Sequence, residues 1–207
     1  MTAAPLAVRT SPLKYLSFAI LGALLVVVLY QRDQLLLDAG SPLRQRYMAV
    51  SWLMVLHGFA GTTALLIAPF QFSSRLRTRF LRIHRIMGYC YIAGVAIAAP
   101  VSIPIAVILG PPELIMAASI QAACWILTTT TALYCIRTGR IQQHREWMMR
   151  SYPFAVVFLA VRAILAIPAV DALGEFGLIV TVWSCIAAAC FVPSFLIAWR
   201  GVLESRR

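Results

Sequence analysis

A chain of 207 residues that is 61% hydrophobic and only 12% charged, with a mean hydropathy of +0.85, lacks the polar surface to cover a water-facing globule; soluble domains carry roughly 45–50% apolar and about 25% charged residues. The net charge of +11 would suggest nucleic acid in a soluble chain. Here the bases sit between apolar runs, so they read as membrane topology, and the lipid bilayer rather than nucleic acid is the expected partner.

Six apolar segments follow one another: Tyr15 to Tyr30, Ala49 to Phe72, Ile86 to Leu109, Leu114 to Ile136, Tyr152 to Pro168, and Gly177 to Trp199. Most reach the ~20 residues a bilayer requires. The expected fold is therefore all-α: a polytopic transmembrane helical bundle of six spans in one integral membrane domain, 1–207. Arg9 and Lys14 precede the first segment, and the only cleavage-like triplet after it, Leu37-Asp38-Ala39, is weak, so it reads as a retained signal anchor.

Basic residues set the orientation. With the N-terminus inside, the cytoplasmic side collects Arg9, Lys14, Arg75, Arg77, Arg79, Arg82, Arg85, Arg137, Arg140, Arg145, Arg150, Arg200, Arg206 and Arg207, against Arg32, Arg44 and Arg46 outside. Five of the acids, Asp33, Asp38, Glu113, Asp171 and Glu175, fall outside. Every loop agrees with both termini being cytoplasmic.

Prolines punctuate the pattern. Pro111-Pro112 marks an outer turn, and Pro153 reads as sitting in a first helical turn, where a missing N–H costs nothing. Pro100 and Pro104 lie one turn apart in the third segment, and Pro193 lies in the sixth; each is a place for a kink. Thr62-Thr63-Ala64-Leu65 echoes Thr130-Thr131-Ala132-Leu133, and His84-Arg85 echoes His144-Arg145. Two such hairpins of like topology suggest a four-helix core of segments two to five.

Ionisable groups inside spans are expensive, about 2.5–3.5 kcal/mol at a helix centre. Arg162 has no acid within the spans to pair with. It either snorkels outward to Asp171 or Glu175, roughly 9 Å away along a helix, or serves an anion site. His57 lies roughly 12 Å from the outer end of its segment and Gln121 roughly 10 Å from the outer end of its own. His57, Gln121 and Arg162 thus share a depth on three helices, which makes them either one ligand-binding polar site or three separate interhelical hydrogen bonds.

His84 and His144 lie at one level on the cytoplasmic side. Two facing histidines can hold a haem iron, so they form a candidate metal and cofactor pair, with His57 as a third cofactor candidate. Gly61 and Gly88 each follow a histidine by four residues, where a helical side chain would cover the imidazole; they leave room for a macrocycle or simply permit close packing. Glu146 is a structural candidate, pairing with Arg150 one turn on or with the arginine-rich loop. The five cysteines, Cys90, Cys124, Cys135, Cys185 and Cys190, form no C-x-x-C pair and read as buried, inert thiols.

Neither a P-loop nor a nucleophile elbow nor a dinucleotide fingerprint occurs, and no membrane carboxylate pair suggests a proton relay, which argues against an ATPase or hydrolase; no enzymatic activity is assigned.

Three blocks carry a resemblance. The first is His57-Gly58-x-x-Gly61-x-x-Ala64-Leu65-Leu66 with Pro69-Phe70-Gln71-Phe72 and Arg75-x-Arg77; the second is His84-Arg85-x-x-Gly88-x-x-Tyr91; the third is His144-Arg145-x-Trp147-Met148-x-Arg150-Ser151-Tyr152 followed by Arg162. From about Met48 to Trp199 the chain resembles the bacterial membrane proteins called domain of unknown function 2306, whose members usually carry Arg where this chain has Tyr89. The resemblance implies a bacterial inner membrane location and places His57, His84, His144 and Arg162 in one motif set. Three readings stay open: a b-type haem-binding redox protein with a membrane redox partner, a binder or carrier of a small anionic or amphipathic molecule at the outer polar site, and a structural scaffold.

Overall fold

The computed structural model describes Gly40 and residues 42–205, together with Ala19, Gly22, Ala23 and Val26. The rest of the expected first span, with Arg9, Lys14, Arg32, Asp33 and Asp38, lies outside the described residues, as do Arg206 and Arg207.

Among the described residues the chain is all helix: α1 (Pro42–Met48), α2 (Ser51–Gln71), α3 (Ser74–Arg79), α4 (Leu81–Leu109), α5 (Pro112–Arg137), α6 (Ile141–Leu165), α7 (Pro168–Asp171) and α8 (Gly174–Glu204). Five of these, α2, α4, α5, α6 and α8, are long and apolar enough to cross a membrane. The shortest, α2 with 21 residues, spans about 31 Å at 1.5 Å per residue, the thickness of a hydrocarbon core.

Hydropathy marks the apolar part of each helix, and the backbone hydrogen bonds continue past it. The helices expected from Ile86 and Gly177 therefore start earlier, at Leu81 and Gly174. The largest difference concerns the fifth segment, expected over Tyr152 to Pro168 and found over Ile141–Leu165. At its start, Gly139 adopts a positive φ of 76°. The Arg140 N–H then donates to the Cys135 carbonyl and the Gly139 N–H to the Ile136 carbonyl, at 2.8 and 3.3 Å. This paired closure ends α5 and lets the next helix begin at once, through polar sequence. At the other end, Ile167 is extended, as a residue before proline prefers, and Pro168 opens the short α7. Pro153 therefore does not sit in a first turn; it lies inside α6 and leaves the Met149 carbonyl without its helical N–H partner.

The helices pack in series, α2 on α4, α4 on α5, α5 on α6 and α6 on α8, with further contacts from α2 to α6 and α5 to α8. Small residues set the closest approach. A Cβ on Gly94 would lie 2.7 Å from the Ala60 carbonyl oxygen and 3.3 Å from the Ala64 Cβ, so only glycine lets α4 lie this close to α2. Tyr91, Val95 and Ala98 of α4 meet Ala64 and Ala68 of α2 in a core that also takes in Ile186 and Ala189 of α8. The buried interior thus draws on all five long helices. Outward faces carry large apolar side chains, among them Trp52, Val55 and Phe59 on α2 and Phe191 and Phe195 on α8. Faces of this kind belong against lipid.

Candidate functional site

Two regions of the bundle hold the polar residues that an apolar interior must account for. The first is a cavity of about 160 Å³ lined by residues that include His57 of α2, Ala98 of α4, Gln121 and Trp125 of α5, Phe158 of α6 and Val182 of α8. Its volume equals about five waters at roughly 30 Å³ each, and it is close to that of an engineered cavity that accepts benzene. His57 Nδ1 lies 2.9 Å from the Ala98 carbonyl oxygen. A carbonyl can only accept, so Nδ1 carries the proton and Nε2 is left as an acceptor. Gln121 Nε2 donates to the Phe154 carbonyl at 3.2 Å, which keeps one amide N–H and the amide oxygen available.

Arg162 does not line this cavity, but it is close by. Its guanidinium lies 4.4 Å from the centre of the Phe158 ring, and that ring meets His57 edge-on at 6.3 Å. Arg162 is also within electrostatic reach of His57. A cation held over an aromatic face at such depth is worth about 0.5–2 kcal/mol, which offsets part of its burial. The structure thus puts His57 and Gln121 on one cavity, with Arg162 one ring removed.

Below the cavity, Trp125 enters a closed circuit of hydrogen bonds. Trp125 Nε1 donates to the Tyr91 hydroxyl at 3.1 Å, and Tyr91 Oη is 2.6 Å from Ser151 Oγ. Ser151 Oγ is 2.7 Å from Thr129 Oγ1, and Thr129 donates to the Trp125 carbonyl at 2.7 Å. The indole can only donate and the carbonyl can only accept, so every proton has one direction: Trp125 to Tyr91 to Ser151 to Thr129 to the Trp125 carbonyl. Tyr91 and Ser151 are fully buried. The circuit ties α4, α5 and α6 together and is saturated. Tyr91 and Ser151 stood in the sequence blocks, but nothing in the sequence paired them with each other or with Thr129 and Trp125.

The second region lies at the arginine-rich end. His144 Nδ1 donates to the Ala132 carbonyl at 2.9 Å, which fixes its tautomer as at His57. His84 differs: its Nδ1 is buried and has no hydrogen-bond partner among the described residues. Nearby, Gln71 at the end of α2 is buried, and its Nε2 is also unpartnered. Arg77, His144 and Arg85 all lie within electrostatic reach of His84. The Arg77 guanidinium is held below its ordinary value, first by burial and then by the nearby Arg145. Phe72 and Tyr152 meet edge-on at 5.9 Å, binding the end of α2 to α6 beside this group.

The remaining sequence candidates have local roles. Glu146 accepts from Gln142 Nε2 at 2.9 Å, and Arg150 lies over the Trp147 ring at 5.0 Å, so the expected Glu146–Arg150 pairing gives way to two local contacts. A methyl on Gly61 would meet only the Ala98 Cβ at 3.9 Å, and one on Gly88 only Gln71 Oε1 at 3.7 Å, both ordinary contacts. Gly94, which the sequence did not single out, is the glycine that the packing of α4 on α2 requires. Cys135 is buried, Cys124, Cys185 and Cys190 are half-buried, and Cys90 is exposed; none forms a disulfide. No group of three or more His, Cys, Asp or Glu side chains gathers among the described residues.

Residues 54–200 match the model of the DUF2306 family, described as predicted membrane proteins. No curated protein and no solved structure is significantly similar to the chain. The match covers well over half of the sequence, and the chain belongs to this family of predicted membrane proteins.

Proposed function

From that membership and this geometry we propose that the chain is a multi-pass binder or carrier of a small amphipathic molecule, which seats a ring-sized group in the cavity between His57 and Gln121. The cavity itself carries the reading. Its walls are mostly apolar, and the polar side chains His57, Gln121 and Ser102 are each anchored by a bond to a backbone carbonyl, His57 to Ala98, Gln121 to Phe154 and Ser102 to Ala99. Ligand sites generally combine an apolar lining with a few fixed polar groups. Nε2 of His57 accepts a hydrogen bond from the ligand, the Gln121 amide supplies a second polar contact, and Arg162 adds positive potential from behind Phe158, favouring a ligand with a hydroxyl or partial negative charge. In the same reading the chain crosses a bacterial inner membrane six times, with both termini on the arginine-rich, cytoplasmic side.

A b-type haem is less well supported. The cavity holds about five waters, too little for a macrocycle. A metal-ligating histidine almost always donates its other ring N–H to a fixed partner. His144 has such a partner and His84 has none, so the expected His84–His144 pair lacks half of the arrangement.

The test compares small molecules extracted from the purified wild-type chain and from Ala118→Leu, which fills the cavity from its α5 wall. We expect a compound carried by the wild type and absent from the variant. Identical extracts would sink the reading.

A further inference from the structure

At the arginine-rich end the bundle buries two polar atoms and gives neither a partner. Gln71 is only 9% exposed, yet its Nε2 finds no partner among the described residues. His84 Nδ1 is in the same condition one short step away. The two belong to one face. Gln71 Oε1 sits 3.7 Å from where a Cβ on Gly88 would stand, and Gly88 follows His84 by one helical turn, about 6 Å. A buried polar atom without a partner costs about as much as a lost hydrogen bond, and native interiors contain few of them. Two on one face call for a shared partner.

The surroundings say what kind. Arg77 from α3, Arg85 from α4 and His144 from α6 lie within electrostatic reach of His84, and Arg145 of α6 within electrostatic reach of Arg77. Among the described residues, Glu146 and Glu204 are the acids of this end, and Glu146 already accepts from Gln142. The Arg77 guanidinium donates to Ser74 Oγ, at 3.4 Å. Among the described residues, like charges from three helices therefore gather with no carboxylate among them. An oxyanion would meet both deficits, accepting from Gln71 Nε2 and from His84 in the tautomer that carries its proton on Nδ1, and balancing the cations. Guanidinium groups suit a phosphate's several oxygens.

We propose that Gln71 and His84, ringed by Arg77, Arg85 and Arg145, form a phosphate-binding site at the arginine-rich end of the bundle. The site is separate from the His57 cavity, and the buried Tyr91 circuit lies between them. Its ligand is a phosphate ester, either the headgroup of an anionic phospholipid or a free, water-borne ester.

The experiment uses the full chain, delipidated in a neutral detergent, with two probes: phosphatidylglycerol, followed by native mass spectrometry, and inorganic phosphate, followed by calorimetry. Binding of phosphatidylglycerol alone identifies a headgroup site; binding of inorganic phosphate as well identifies a site for free esters. In either case His84→Ala and Gln71→Leu should each weaken binding about ten-fold, the usual effect of losing one hydrogen bond to a charged group. Arg77→Gln with Arg145→Gln, changes at one half-buried and one exposed position that leave the core intact, should weaken it by a similar factor and flatten its salt dependence. His57→Ala should bind as the wild type does. The proposal is overturned if neither probe binds, or if binding is the same in the wild type and the arginine double variant. A haem absorption band lost in His84→Ala would overturn it as well, by giving that imidazole to iron.

Discussion

The three histidines of this chain divide between two regions, and the regions handle buried polarity in opposite ways. Around the cavity everything is anchored: His57 on the Ala98 carbonyl, Gln121 on the Phe154 carbonyl, and Trp125 in a circuit whose every proton is used. At the arginine-rich end His84 and Gln71 are left with open valences amid cations. An anchored polar group keeps its shape whether or not a ligand is present. An orphaned one makes the protein less stable until something binds. The first region is built as a preformed pocket and the second as a site that gains stability from its ligand.

The widest contrast is at the glycines. Gly94→Val should cost about 3 kcal/mol or more, because its side chain meets the Ala60 backbone carbonyl and α2 and α4 must part. Gly88→Ala, facing the open base, should change stability by less than about 0.5 kcal/mol. Reversible unfolding in mixed detergent micelles checks both, and equal effects would erase the distinction between a tight and an open region. Next comes Tyr91→Phe, which orphans Trp125 Nε1 and breaks the circuit; we expect a loss of about 1–2 kcal/mol by the same assay. His84→Ala removes an atom that has no partner, so in phosphate-free, delipidated protein it should cost less than Tyr91→Phe does. The smallest effect belongs to Arg145→Gln, which relieves repulsion of Arg77; a gain of about 0.2–1 kcal/mol at low salt, vanishing at high salt, is the expected outcome.

These features were legible in the sequence to different degrees. Apolar segments are legible from hydropathy, and five of the six expected reappear as α2, α4, α5, α6 and α8. Depth arithmetic also placed His57 and Gln121 at one level, and they do line one cavity. Rotation about each helix axis is not written in hydropathy when both faces are apolar. That is why Phe158 and Ala98 were not foreseen as the neighbours of His57, nor Gly94 as the contact point of α2 and α4. The polar run from His144 to Ser151 hid the start of α6, because its helix is maintained by backbone bonds and the Gly139 turn rather than by an apolar stripe. Gln71 was visible only as part of a motif; its burial comes from the end of α2 folding against α4.

The central claim is that the His57–Gln121 cavity receives a ring-sized amphipathic group. Phenol tests it most directly, since it combines a benzene-sized body with one hydroxyl for His57 Nε2. The measurement is saturation-transfer NMR of phenol against the detergent-purified chain, with benzene as the competitor that lacks the hydroxyl. The account predicts saturable phenol binding in the wild type, loss of it in Ala118→Leu, and loss of the preference for phenol over benzene in His57→Phe. Phenol signals that are the same in the wild type and Ala118→Leu would contradict it.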